Sequence, residues 1–101
     1  MPQTAPLTTL ALVARYGVGI AFVAEEKPAT TVPDFTTQLR TAYERMSNAG
    51  LSLADDLDLA ADRLDDAEQA TDPTEEQALL RKAADLMRDI PDAVDEYRSM
   101  V

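Results

Sequence analysis

The chain has no cysteine and no histidine. Without cysteine there is no disulfide framework and no thiolate metal site, and without histidine the commonest general base and metal ligand is missing. Tryptophan is absent too, and Tyr16, Phe22, Phe35, Tyr43 and Tyr97 are the whole aromatic complement. A core must therefore be built from leucine, valine and alanine, which favours packed helices. Glycine occurs three times. The pair in Gly17-Val18-Gly19 lacks the third glycine and the strand–turn–helix setting of a nucleotide loop.

Positive charge is scarce, and its shortage is uneven. In residues 1–50, Arg15, Lys27, Arg40 and Arg45 balance Glu25, Glu26, Asp34 and Glu44, so the whole net charge of −10 belongs to residues 51–101. Phosphate backbones and anionic membrane surfaces are both held by clustered Lys and Arg, so direct nucleic-acid binding is excluded from the expected partners. No Lys or Arg precedes the apolar stretch that starts at Leu7, unlike a secretory signal, and a chain without disulfides suits the cytoplasm or the inside of a macromolecular particle.

What is present is helical periodicity. The length of 101 residues is that of one small domain. From residue 34 on, three apolar stripes step by fours and threes. Phe35, Leu39, Ala42, Met46 and Ala49 follow Asp34 as the expected cap, and Asn48-Ala49-Gly50 closes that helix. Leu53, Leu57, Ala60, Leu64 and Ala67 follow Ser52, with Asp55 three residues on as a capping-box variant. Leu79, Ala83, Leu86 and Ile90 follow Asp72-Pro73-Thr74-Glu75, the stripe being widened by Leu80 and Met87. Pro91 is expected to end or kink this helix after Ile90. A short terminal helix then carries Val94, Tyr97 and Val101 on one face.

The stretch Leu53–Ala70, LADDLDLAADRLDDAEQA, holds seven carboxylates and one arginine. On a helical wheel Asp55, Asp58, Asp62, Asp65 and Asp66 fall opposite the leucines, where an amphipathic helix keeps its solvent face. Like charges three and four residues apart repel by a few tenths of a kcal/mol per pair. An EF-hand needs a glycine at its sharp turn, and Asp56–Ala61 has none. A di-iron carboxylate site needs histidine. A glycosidase needs aromatic sugar platforms that this chain can hardly supply. No catalytic residue, cofactor or metal ligand is assigned, and the chain is expected not to be an enzyme.

Residues 7–24, LTTLALVARYGVGIAFVA, carry Arg15 as their only charge. Three conformations compete. A helix would put Leu7, Leu10, Ala14, Gly17 and Ala21 on one side. A strand would alternate Val18, Ile20 and Phe22 with Gly19, Ala21 and Val23. A membrane span of eighteen residues at ~1.5 Å each would reach ~27 Å, just short of the ~30 Å hydrocarbon core. Arg15 at its middle would cost about 2.5–3.5 kcal/mol there, which disfavours the span. Glu25–Pro33, EEKPATTVP, has the composition of an extended linker.

These features predict an all-α protein: a small antiparallel bundle of three to four helices at 34–101, joined by a linker at 25–33 to an apolar N-terminal segment or arm at 1–24. The expected role is a non-catalytic protein–protein interaction protein, a structural or accessory subunit of a multi-protein assembly, viral and phage particles included. Leu10, Tyr16, Ile20, Phe22, Leu80 and Met87 are the candidate contacts with a protein partner or a second copy. The alternative is an acidic inhibitor whose Asp55, Asp58, Asp62, Asp65 and Asp66 imitate nucleic-acid phosphates in a basic groove.

Overall fold

The structure, a computed structural model, describes residues 8–52 and 54–100. They form five helices and, among the described residues, no strand: α1 (Thr9–Ala24), α2 (Val32–Asn48), α3 (Ala54–Gln69), α4 (Pro73–Met87) and α5 (Ile90–Met100). The all-α bundle expected from periodicity is what the chain folds into.

Local chemistry sets each boundary. Thr8 caps α1, its side chain accepting from the Ala11 N–H at 3.1 Å. At the other end Glu25 adopts the left-handed conformation with φ 58°, its N–H turned to the Ala21 and Phe22 carbonyls, and the Glu26 N–H also reaches Ala21 O at 3.0 Å. Helix α2 begins two residues before the expected Asp34. Thr31 is its cap, accepting from the Asp34 N–H at 3.3 Å. Pro33 then occupies the first turn, where a missing N–H costs nothing, so the linker shortens to residues 25–31. Gly50, at φ 85°, ends α2, and the Leu51 N–H returns to Met46 O at 3.0 Å.

The turn between α2 and α3 holds Ser52, and Leu53, expected at the head of the α3 stripe, lies outside the described residues. Asp72 caps α4 through the Thr74 N–H at 3.0 Å, with Pro73 in the first position. Pro91 does not end a helix as expected. Helix α4 stops at Met87, and Pro91 stands in the first turn of α5, since a proline tolerated at a helix start serves as either signal.

Each helix buries one stripe. Phe35, Leu39, Ala42 and Met46 of α2 and Leu57, Ala60, Leu64 and Ala67 of α3 are buried as the spacing predicted. In α4 the stripe is rotated by one residue: Leu80, Ala83 and Met87 are buried, while Leu79 and Leu86 are only half-buried. Val94 of α5 is buried and Tyr97 half-buried; Val101 lies outside the described residues.

The N-terminal segment is a helix, neither strand nor span. Leu12, Val13, Tyr16, Ile20 and Val23 line its buried side, so α1 is built into the core of the bundle and is not a detached arm. The side that the helical reading drew through Leu7, Leu10, Ala14, Gly17 and Ala21 is split: Leu10 and Ala14 are exposed, Gly17 and Ala21 are buried, and Leu7 lies outside the described residues. Among the described residues, no helix is long and apolar enough to cross a membrane.

Packing follows chain order. The extensive contacts join α1 to α2, α2 to α3 and α3 to α4, with α5 returning onto α1. Arg40, midway along α2, faces Asp62 and Asp65 at and just past the middle of α3, and the short connection at 49–53 turns the two helices back on each other. Helix α5 differs. Gly19 meets Val94 and Phe22 meets Arg98, so the pairs advance together and α5 runs in the same direction as α1. Gly19 permits this approach, because a Cβ there would lie 3.3 Å from Val94 Cγ2.

Candidate functional site

Helix α1 is apolar nearly all round, yet only one side of it is covered. Leu10, Ala14, Val18 and Phe22 step by four and form a single ridge on its outer face, about 18 Å long at ~1.5 Å per residue. Val18 is 69% exposed, Leu10 62% and Phe22 42%, and Ala11 and Ala14 beside them are exposed too. Single exposed hydrophobics are ordinary on a protein surface; a continuous ridge of them is the mark of a contact. The outer end of the ridge is closed by Arg98 of α5, whose guanidinium carbon lies 4.9 Å from the centre of the Phe22 ring. Arg15, on the flank, lies 5.5 Å from the Tyr16 ring centre.

The six candidate assembly residues divide sharply. Leu10 and Phe22 stand on the ridge. Tyr16, Ile20, Leu80 and Met87 are 7%, 0%, 0% and 0% exposed, so the chain uses them for its own core and they offer no surface. They fill the inner sides of α1 and α4, the sides turned to the bundle. Val18, the most exposed large apolar residue among the described residues, was not among the candidates. Its β-branched side chain between two glycines reads equally well as core.

The acidic face is brought together as the wheel predicted, but it is partly consumed. One guanidinium nitrogen of Arg40, Nη2, donates to Asp65 Oδ2 at 2.7 Å and to Asp62 Oδ1 at 3.2 Å. The hydrogen bond to Asp65 is the main cause that raises the Arg40 pKa above its ordinary value; partial burial opposes it, and Asp62 adds to it. Asp66 pairs with Arg63 at 3.4 Å. Asp55 and Asp58 make no ion pair among the described residues. Three of the five candidate acids thus answer cations of the same chain.

Gln38 is a polar residue that stripe counting passes over. It is 4% exposed and sits beside Leu39 on the buried side of α2. Its Nε2 donates to Lys27 O at 2.7 Å and to Glu26 Oε2 at 3.3 Å, which ties the linker across the helix. Its Oε1 is buried without a partner.

No family model, curated protein or solved structure matches this chain. Function must therefore be argued from the surfaces. Between α1 and α5 lies a cleft of about 200 Å³ lined by Tyr16, Gly19, Ile90 and Val94, with Arg15 and Asp95 at its edge. It is smaller than the ~300–1,000 Å³ of small-molecule sites. A depression of about 400 Å³ at Pro73, Thr74, Gln77, Ala78 and Arg81 is bounded by α4 alone, so it has no opposing wall. Among the described residues no three carboxylates are placed to hold a metal ion. The exposed ridge of α1 has the chemistry of a surface that meets another protein.

Proposed function

We propose that this protein is a non-catalytic interaction subunit of a multi-protein assembly, docking through the outer face of α1. The reading is carried by one observation: Leu10, Val18 and Phe22 are exposed together on one ridge of α1. Burying such side chains against a neighbour stabilises the contact by ~25 cal/mol per Å² of apolar surface. The acidic second half then keeps the assembled particle or its free subunit soluble. A cytoplasmic or particle-bound location fits this role.

The test is comparative capture from the native cells. Tagged wild-type chain and the variant Leu10→Glu/Val18→Glu are purified side by side, and co-purifying proteins are quantified. A partner held by the wild type and lost by a variant of unchanged helicity supports the reading. Identical captures from both sink it.

The acidic-inhibitor reading keeps one supporting observation, the confinement of the net charge to residues 51–101. Against it, Arg40 and Arg63 already occupy Asp62, Asp65 and Asp66. A phosphate mimic would lose its partner steeply as salt rises, whereas a contact through the α1 ridge would hold.

A further inference from the structure

Helix α5 is held to the rest of the molecule on one side only. Among the described residues it packs extensively on α1 and on no other helix, and of its 11 residues Ile90, Ala93 and Val94 are the buried ones. Helix α1 has α2 as a second support, and α2, α3 and α4 pack in succession without help from α5. The seam between α1 and α5 is also incompletely filled. The cleft of about 200 Å³ opens into it, with Tyr16 and Gly19 on one wall and Ile90, Pro91 and Val94 on the other.

The join to α4 is built as a hinge. Only Arg88 and Asp89 separate Met87, the last residue of α4, from Ile90, the first of α5. Arg88 keeps helical dihedrals, φ −53° and ψ −39°. In an unbroken helix residue 91 would donate its N–H to the Met87 carbonyl, but Pro91 has no N–H and its ring would strike that carbonyl. The ladder resumes with the Ala93 N–H donating to Asp89 O at 2.9 Å. Helix α5 is thus a helix in its own right, joined by two residues at which its direction changes without unmaking either ladder.

What α5 covers adjoins the docking ridge. Arg98 lies over the Phe22 ring, its guanidinium carbon 4.9 Å from the centre, and Val94 lies on Gly19. We propose that α5 is an autoinhibitory lid, which swings on Arg88 and Asp89 while α1 to α4 stay packed. Its opening bares Gly19 and the covered side of Phe22, and so widens the apolar face that Leu10 and Val18 begin. The regulatory meaning rests on the reading of the ridge as a docking surface; the opening itself does not.

A removable staple tests it. The chain has no cysteine, and a Cβ on Gly19 would stand 3.9 Å from Val94 Cβ, within the span of about 3.5–4.5 Å that a disulfide needs. Gly19→Cys/Val94→Cys therefore shuts the lid on oxidation and frees it on reduction. Hydrogen exchange on the wild-type chain is expected to show the α5 amides from Ala93 onward exchanging together, at least about tenfold faster than those of α1 and α2. Oxidation of the double-cysteine chain is expected to slow them to the α1 rate, and to lower its binding of the apolar dye anilinonaphthalene sulfonate several-fold against the reduced form. Arg98→Ala, which leaves both helix backbones alone, is expected to speed α5 exchange several-fold with α2 unchanged. Exchange of α5 in step with α1 and α2 overturns the lid, as does fraying from Met100 that spares Ala93 and Val94. So does a staple that forms and changes neither exchange nor dye binding, and thiols that stay apart under oxidant overturn the seam itself. The stapled chain is also expected to hold a partner that depends on Leu10 and Val18 several-fold less than the reduced chain, and equal retention overturns the autoinhibition. If α5 opens as expected but Leu10→Glu/Val18→Glu loses no partner, the docking reading falls while the lid stands.

Discussion

Gly19 and Val94 hold α1 and α5 together at a separation where a methyl group is admitted only if Val94 gives way by a few tenths of an ångström, since a Cβ on Gly19 would stand 3.3 Å from Val94 Cγ2. Gly17, two residues earlier, has only ordinary contact in reserve, with Val13 Cγ1 at 3.8 Å. Both glycines lie inside a helix, where alanine is favoured by roughly 0.5–1 kcal/mol. Gly17→Ala is therefore expected to raise stability by about that amount, while Gly19→Ala gains nothing or loses. Urea unfolding of the two variants checks this, and equal gains from both would contradict the close approach of α5.

Glu25 occupies a backbone region that glycine prefers, and its carboxylate lies 3.3 Å from Arg45 Nη1. Glu25→Gly removes about 1 kcal/mol of backbone strain and gives up an exposed ion pair worth a few tenths. A net gain in thermal stability is expected. Gly50→Ala is expected to lose about 1 kcal/mol through the backbone alone, because nothing lies within 4 Å of its added methyl. If calorimetry finds Glu25→Gly less stable than wild type, the ion pair outweighs the strain.

Arg40 separates two carboxylates that would otherwise face each other on α3. Arg40→Met is expected to destabilise by up to about 1 kcal/mol, as exposed pairs do, and more at low salt than at high. Asp65→Asn in the same chain should restore part of the loss, which a double-mutant cycle reads directly. The pH dependence has a definite sign. A raised folded-state pKa means that this contribution is fully present below the ordinary arginine value and fades only above it. The stability difference between wild type and Arg40→Met should therefore stay constant from about pH 7 to 10.

Helix α4 turns Leu80 and not Leu79 to the core. Leu80→Ala is expected to cost about 2–5 kcal/mol, and Leu79→Ala roughly half of that or less, since its side chain is only partly removed from water. Reversed magnitudes in denaturant melts would place the helix in the rotation that the four-three spacing predicted.

The two middle helices were legible because each pairs an apolar stripe with a charged opposite face. Phe35, Leu39 and Met46, like Leu57 and Leu64, have no competing apolar neighbours, and they are buried where periodicity put them. The rotation of α4 was not legible, because Leu79-Leu80 and Leu86-Met87 are adjacent apolar pairs and either member continues the stripe. Pro91 was ambiguous for a chemical reason: the ring that breaks a helix from within fits without loss in the first turn. The candidate site was half legible. Leu10 and Phe22 are exposed, but a helix apolar all round has no preferred buried side, so Ile20 and Val18 could not be told apart.

Composition and periodicity alone determined that this chain is helical, that its charge gathers in the second half, and that histidine and cysteine chemistry has no place in it. Those properties are local: they depend on which residues are present and how far apart they stand along one helix. Only the tertiary structure decided which side of α1 meets water. That choice follows from Gly19 admitting Val94 of α5 and from Ile20 and Tyr16 filling the space between α1 and the bundle, contacts between residues far apart in the chain that no spacing within it encodes.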